Sequence, residues 1–115
     1  MNTERLLKLA DFLDTVPAEQ FDLSSWKCST TACAVGWACT IPEFQDEGLR
    51  SANMAHAGLP LFDNKSGWDA VNAFFAVTDE QADHLFYDLN YPNRHRTTPA
   101  EVANRIRKLV IDSSK

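Results

Sequence analysis

Residues 28–39, CSTTACAVGWAC, hold all three cysteines of the chain and no charged residue. Their small side chains recur at helical spacing. Ala32 and Gly36 are four apart, as are Ala34 and Ala38; Cys33 shares a face with Trp37, and Val35 with Cys39. A glycine inside a helix costs roughly 1 kcal/mol relative to alanine, a cost that makes sense where a neighbour comes too close for a Cβ. A helix that is apolar on every side is usually buried on every side. Residues 30–40 are therefore expected to form a central helix around which the rest of the chain packs.

The same stretch admits a chemical reading. With Ser29 as N-cap, Cys28 and Cys33 take the two positions that touch across a helix start. Cysteine packs as a small hydrophobe, so the contact needs no chemistry to explain it, yet the geometry also brings the two sulfurs within reach of a disulfide under oxidation. The alternatives are a structural pair, a thiol-redox pair, or a metal-binding pair at Cys28 and Cys33. A helix N-terminus lowers a thiol pKa, which favours Cys28 as nucleophile, although no base accompanies it. The spacings Cys-x4-Cys and Cys-x5-Cys differ from the short separations typical of zinc sites, and Cys33 and Cys39 point about 240° apart on a helix. No metal or cofactor is expected.

Outward from this stretch, helix signals recur. Leu6, Leu9, Leu13 and Val16 line one face of residues 3–15, with Phe12 beside them. Pro17-Ala18-Glu19 restarts the chain as a short turn. Thr40-Ile41-Pro42-Glu43 has capping-box spacing and opens a short helix that should end at Gly48. Residues 49–65 are the least regular, and Leu59–Phe62 followed by Asp63–Gly67 reads as an extended piece entering a turn, one arm of a small hairpin within 53–65. Trp68, Val71, Phe74 and Phe75 form the apolar face of a helix beginning at Ser66 or Gly67. Thr78-Asp79-Glu80-Gln81 caps another, with Ala82, Leu85 and Phe86 inward. Thr98-Pro99-Ala100-Glu101 opens the last helix, in which Val102, Ile106 and Leu109 face one way and Glu101, Arg105 and Lys108 the other. The expected fold is mainly α: one helical domain over residues 1–115, a compact bundle of five to six short helices around the central apolar one, with room for one small β-hairpin.

Charge narrows the function classes. Residues 1–93 carry five Lys/Arg against fourteen Asp/Glu, a net of −9, whereas residues 94–115 carry six against two, a net of +4. An acidic body argues against direct nucleic-acid binding, which needs positive faces. The basic tail (Arg94, Arg96, Arg105, Arg107 and Lys108, with Tyr91 and His95 among them) is the candidate surface for an acidic partner. Its plainer reading is a solvated face carrying an ordinary Glu101–Arg105 pair. The first residues lack the pattern of a secretory signal, and three cysteines are an odd count. A soluble, cytoplasmic chain with reduced thiols and no membrane association is the expectation. Acids at Asp79, Glu80 and Asp83, next to His84, suit a helix N-terminus. Asp63–Gly67 fails as a calcium loop because Lys65 stands where an oxygen ligand belongs. No phosphate-binding glycine loop and no nucleophile–base pair can be named, so an enzyme is not expected.

The run Cys28-Ser-Thr-x-Ala-Cys-Ala-x-Gly-Trp-Ala38, with Thr40-Ile-Pro-Glu-Phe44 after it, resembles a family of small uncharacterised bacterial and phage proteins carrying Cys-[Gly/Ser]-Thr-x-x-Cys-x-x-Gly-[Trp/His]-Ala. Phe74-Phe75 before Thr78, Leu85-Phe86, Tyr91-Pro92 and the Thr98–Ala103 helix start are similar too. The resemblance implies an intact fold and a bacterial or phage origin, and no activity. The function expected is a non-enzymatic protein-interaction module with a protein partner, such as a phage-encoded inhibitor of a host defence complex.

Overall fold

The computed structural model describes residues 1–21, 34–51, 60–87, 90–92 and 96–113. Among these, six α-helices and a small three-stranded antiparallel sheet share one cluster of buried side chains. The mainly helical expectation holds, and so does the hairpin. Cys28, Cys33, Arg94 and His95 lie outside the described residues, as does the part of the expected hairpin before Pro60.

Helix α1 (Thr3–Leu13) starts where Asn2 Oδ1 accepts the Arg5 N–H at 3.0 Å. It buries Leu6, Leu9, Ala10 and Leu13, one stripe at helical spacing. The helix stops before Val16, which is half-buried in the turn beyond it. A 3-10 turn, Ala18–Gln20, comes next. Helix α2 (Ala34–Ala38), the described part of the apolar stretch, buries Ala34, Val35, Gly36 and Ala38. Its Trp37 is half-buried, donating Nε1–H to Gln20 O at 3.1 Å beside the Phe12 ring.

One local expectation is corrected between α2 and α3 (Pro42–Asp46). Thr40 does not cap α3: its hydroxyl donates back to Trp37 O at 2.6 Å, closing the end of α2. Ile41 is the N-cap, without a side-chain bond. The reason is local sterics, because a residue before proline is pushed into extended backbone. Ile41 sits at φ −75°, ψ 119°, which makes it the last non-helical residue and puts Pro42 at the first helical position. The far end of α3 agrees with the sequence. Gly48 takes φ +106°, its N–H bonds Gln45 O, and the Leu49 N–H bonds Phe44 O. That pair of bonds is a Schellman ending, with Leu49 and Phe44 in the expected apolar contact positions.

Strands β1 (Arg50–Ser51), β2 (Pro60–Phe62) and β3 (Lys65–Ser66) pair in that order, with Arg50 opposite Leu61 and Phe62 opposite Lys65. The β2–β3 turn is Asp63-Asn64, with Asp63 at φ +57°, a conformation that aspartate tolerates better than most residues. The sheet lies on α4 (Gly67–Phe75), which ends at Ala76 in left-handed backbone, φ 54°, ψ 48°. Helix α5 (Asp79–Phe86) begins with the expected capping box. Thr78 Oγ1 accepts the Gln81 N–H at 3.2 Å, and Gln81 Oε1 accepts the Thr78 N–H at 3.0 Å. Helix α6 (Pro99–Ser113) starts from Thr98, whose Oγ1 accepts the Glu101 N–H at 3.3 Å, and packs chiefly along α1.

Where the elements meet, five phenylalanines interlock. Phe44 of α3 stands edge-on to Phe74 and Phe75 of α4 at 4.9 and 5.9 Å. Phe62 of β2 stands edge-on to Phe74 at 5.1 Å, and Phe86 of α5 lies 5.8 Å from Phe75. Such pairs add about 0.5–1.5 kcal/mol each beyond the burial of their area.

Two backbone positions give opposite expectations in urea unfolding. Gly48→Ala forces a Cβ into a positive φ, where it would also meet Phe62 at 3.4 Å, and should destabilise by about 1–2 kcal/mol. Ala76→Gly relieves left-handed strain and should stabilise by about 0.5–1 kcal/mol after the entropy of glycine is subtracted.

Candidate functional site

The basic tail folds into two different environments. A helix leaves its last carbonyls without partners inside the helix, and at the C-terminus of α5 three of them are taken up by donors from residues 87, 90, 91 and 105. Asp83 O accepts the Tyr87 N–H at 3.1 Å and Asn90 Nδ2–H at 2.9 Å. Leu85 O accepts the Tyr91 hydroxyl at 2.6 Å. His84 O accepts from Arg105 Nη1 at 3.0 Å, and the same nitrogen donates to Asn90 O at 2.8 Å. The Arg105 guanidinium lies 3.7 Å from the centre of the Tyr91 ring, a cation–π contact. Burial pushes the Tyr91 phenol well above its ordinary pKa, against the opposing charge of Arg105.

Arg105 is thus a structural cation that ties α6, α5 and residues 90–91 together. Arg107 is committed too. Its Nη2 donates to Asp11 Oδ1 at 2.9 Å and to Asp14 Oδ2 at 2.6 Å, joining α6 to α1, and these bonds raise its pKa. Arg5, unremarkable in the sequence, behaves in the same way. Its Nη1 donates to Phe74 O at 2.7 Å, its guanidinium lies 4.0 Å from the Phe74 ring, and Glu47 sits 3.4 Å from Nη2. Of the tail cations expected to meet a partner, Arg96 and Lys108 are exposed in the described structure.

Lys108 and Arg105, one turn apart on α6, flank a shallow cleft of about 500 Å³ whose other wall is His84 of α5. Glu101, Asn104, Leu109 and Asp112 complete its lining. Burial first, then the positive charges of Arg105 and Lys108, hold the His84 imidazole below its ordinary pKa of 6.5. That Glu101, Arg105 and Lys108 share a helix face was legible from their spacing. The place of His84 opposite them was not, because no local pattern relates α5 to α6.

Cys39 is buried in the core, away from solvent. Among the described residues, no group of three or more His, Cys, Asp and Glu side chains is arranged to hold a metal ion, and no helix is long and apolar enough to cross a membrane. Compared with protein-family models, curated protein sequences and solved structures, the chain matches none of them.

Removing the Tyr91 hydroxyl in Tyr91→Phe leaves Leu85 O without its donor and should lower stability by about 1–2 kcal/mol. Arg105→Lys loses the planar stack along with the shared donor, and should lower the urea midpoint as well. His84 imparts a pH dependence of definite sign. Its folded pKa lies below the unfolded 6.5, so between the two the unfolded chain binds more protons and stability falls as the pH is lowered. His84→Gln should flatten that part of a stability–pH profile, leaving stability above pH 6.5 little changed.

Proposed function

We propose that this chain is a non-enzymatic protein-interaction module that meets a partner through its acidic exterior. The observation that carries the reading is how the fold sorts its charges. Among the described residues, thirteen of fourteen Asp/Glu side chains belong to exposed residues, against five of eight Lys/Arg. Arg5 and Arg105 bond carbonyls and lie against aromatic rings, and Arg107 is paired at the surface with Asp11 and Asp14. Among the described residues, the exposed charges therefore sum to −8, where all the described charges sum to −6.

A field of that sign steers a basic surface into contact and repels nucleic acid. The natural partner is a protein with an exposed basic face, such as one that itself handles nucleic acid. The resemblance of Cys28–Ala38 to small bacterial and phage proteins supports a specific setting: a phage-encoded inhibitor acting in the bacterial cytoplasm on a host defence complex.

The test is capture from bacterial lysate on the immobilised protein at about 50 and about 300 mM salt, a range over which surface electrostatics weaken strongly. A basic-surfaced protein should be retained at the lower salt and released at the higher. Lysine replacements at Glu43 and Asp46 of α3, or at Glu80 and Asp83 of α5, should locate the contacting face through loss of capture. Recovery of no protein in either salt regime, or capture indifferent to salt and to both replacements, would overturn the reading.

A further inference from the structure

We propose that the cleft between α5 and α6 is a binding site for a single oxyanion, carried by a carboxylate or a phosphoryl group, held by Lys108, Arg105 and His84. The site adjoins Glu80 and Asp83 on α5, but its test reads small-anion binding and does not depend on the proposed protein partner.

The geometry supplies donors in excess of what the fold uses. Arg105 has Nη1 committed to His84 O and Asn90 O. Those bonds and the Tyr91 stack fix the guanidinium plane, and among the described residues no hydrogen bond occupies the Nε and Nη2 donors of its five-donor fork. A guanidinium already immobilised loses little further entropy when it binds. Lys108, one turn on, is exposed and makes no ion pair with the described residues. Asn104 adds an amide at the same cleft.

The cleft also contains two acids, Glu101 and Asp112, which would oppose an anion. Glu101 sits in the first turn of α6, where its Oε1 accepts the Thr98 hydroxyl at 3.3 Å, and Asp112 is a turn beyond Lys108 at the other end. Arg105 and Lys108 lie between them on α6, opposite His84. In agreement, after burial itself, the charges that lower the His84 pKa are those of Arg105 and Lys108, both positive. An oxyanion placed among the three would reverse that effect. His84 would gain a proton more readily, become a third donor, and couple anion binding to pH. Besides the α6 groups, the charged residues near it on its own helix are Glu80 and Asp83.

The experiment is an NMR titration of the full chain at pH 6.5 and constant ionic strength, with inorganic phosphate in one arm, acetate in a second and chloride as control. The His84 ring signal is identified by its absence in His84→Gln. Saturable shifts at His84 and Lys108 with phosphate, acetate or both are expected, with the His84 pKa rising in the bound form. Which arm saturates tells a phosphoryl group from a carboxylate. Lys108→Gln, at an exposed position that leaves the fold intact, should weaken binding by about ten-fold, as loss of one charge-assisted hydrogen bond requires. Non-saturating shifts that match chloride in both arms, or equal affinity in Lys108→Gln, would overturn the proposal.

Discussion

The interlocked rings of Phe44, Phe62, Phe74, Phe75 and Phe86 are the constraint on which the rest of the structure depends. They come from α3, β2, α4 and α5, so none of these elements can shift without breaking a ring contact of the cluster. Short elements need such a joint. Helix α3 has five residues and each strand two or three, too few to be stable on propensity alone. Their stability is tertiary. Arg5 closes the cluster from α1, its side chain only 21% exposed, lying over Phe74 and bonding that residue's carbonyl. The neighbouring Asn2 N–H bonds Phe75 O at 2.8 Å, so the start of the chain is fastened to the same helix.

A second joint, built around Arg105 and Tyr91, holds the other side of the molecule. The carbonyls at the end of α5 have no partners within the helix, and a glycine ending of the kind seen at Gly48 is absent there. Side chains from residues 90, 91 and 105 supply the donors instead. Arginine suits this role because one planar group can stack and donate at once. The result is that two of the tail's cations, Arg105 and Arg107, serve as ties within the fold, while Arg96 and Lys108 stay exposed.

How much of this was legible varies by residue, and the reason is distance along the chain. The cap at Thr78 and Gln81, the stop at Gly48 and the start at Thr98 are interactions between residues three or four apart, and each could be read directly. Thr40 shows the limit of such reading. Two local rules competed there, a capping-box spacing and the steric effect of the neighbouring Pro42, and the second prevailed. The candidate cleft was half legible: the helical period puts Arg105 and Lys108 on one face, but His84 arrives from another helix. Strand β1 was invisible because two residues make no pattern of their own, and its pairing with β2 spans a separation that carries no periodic signal.

The sequence by itself determined which segments are helical, where most of them begin and end, and that the molecule is acidic over most of its length. These features come from backbone sterics, capping and amphipathic spacing, all of which act over a turn or two. Only the tertiary structure decided what the arginines do. Arg5 meets Phe74 across 69 positions, Arg105 reaches back 21 to His84, and Arg107 reaches back 96 to Asp11. A guanidinium is equally at home in water, on an aromatic face or against a carbonyl. Its fate is set by which groups the folded chain happens to bring within 3 to 4 Å, and no local rule contains that information.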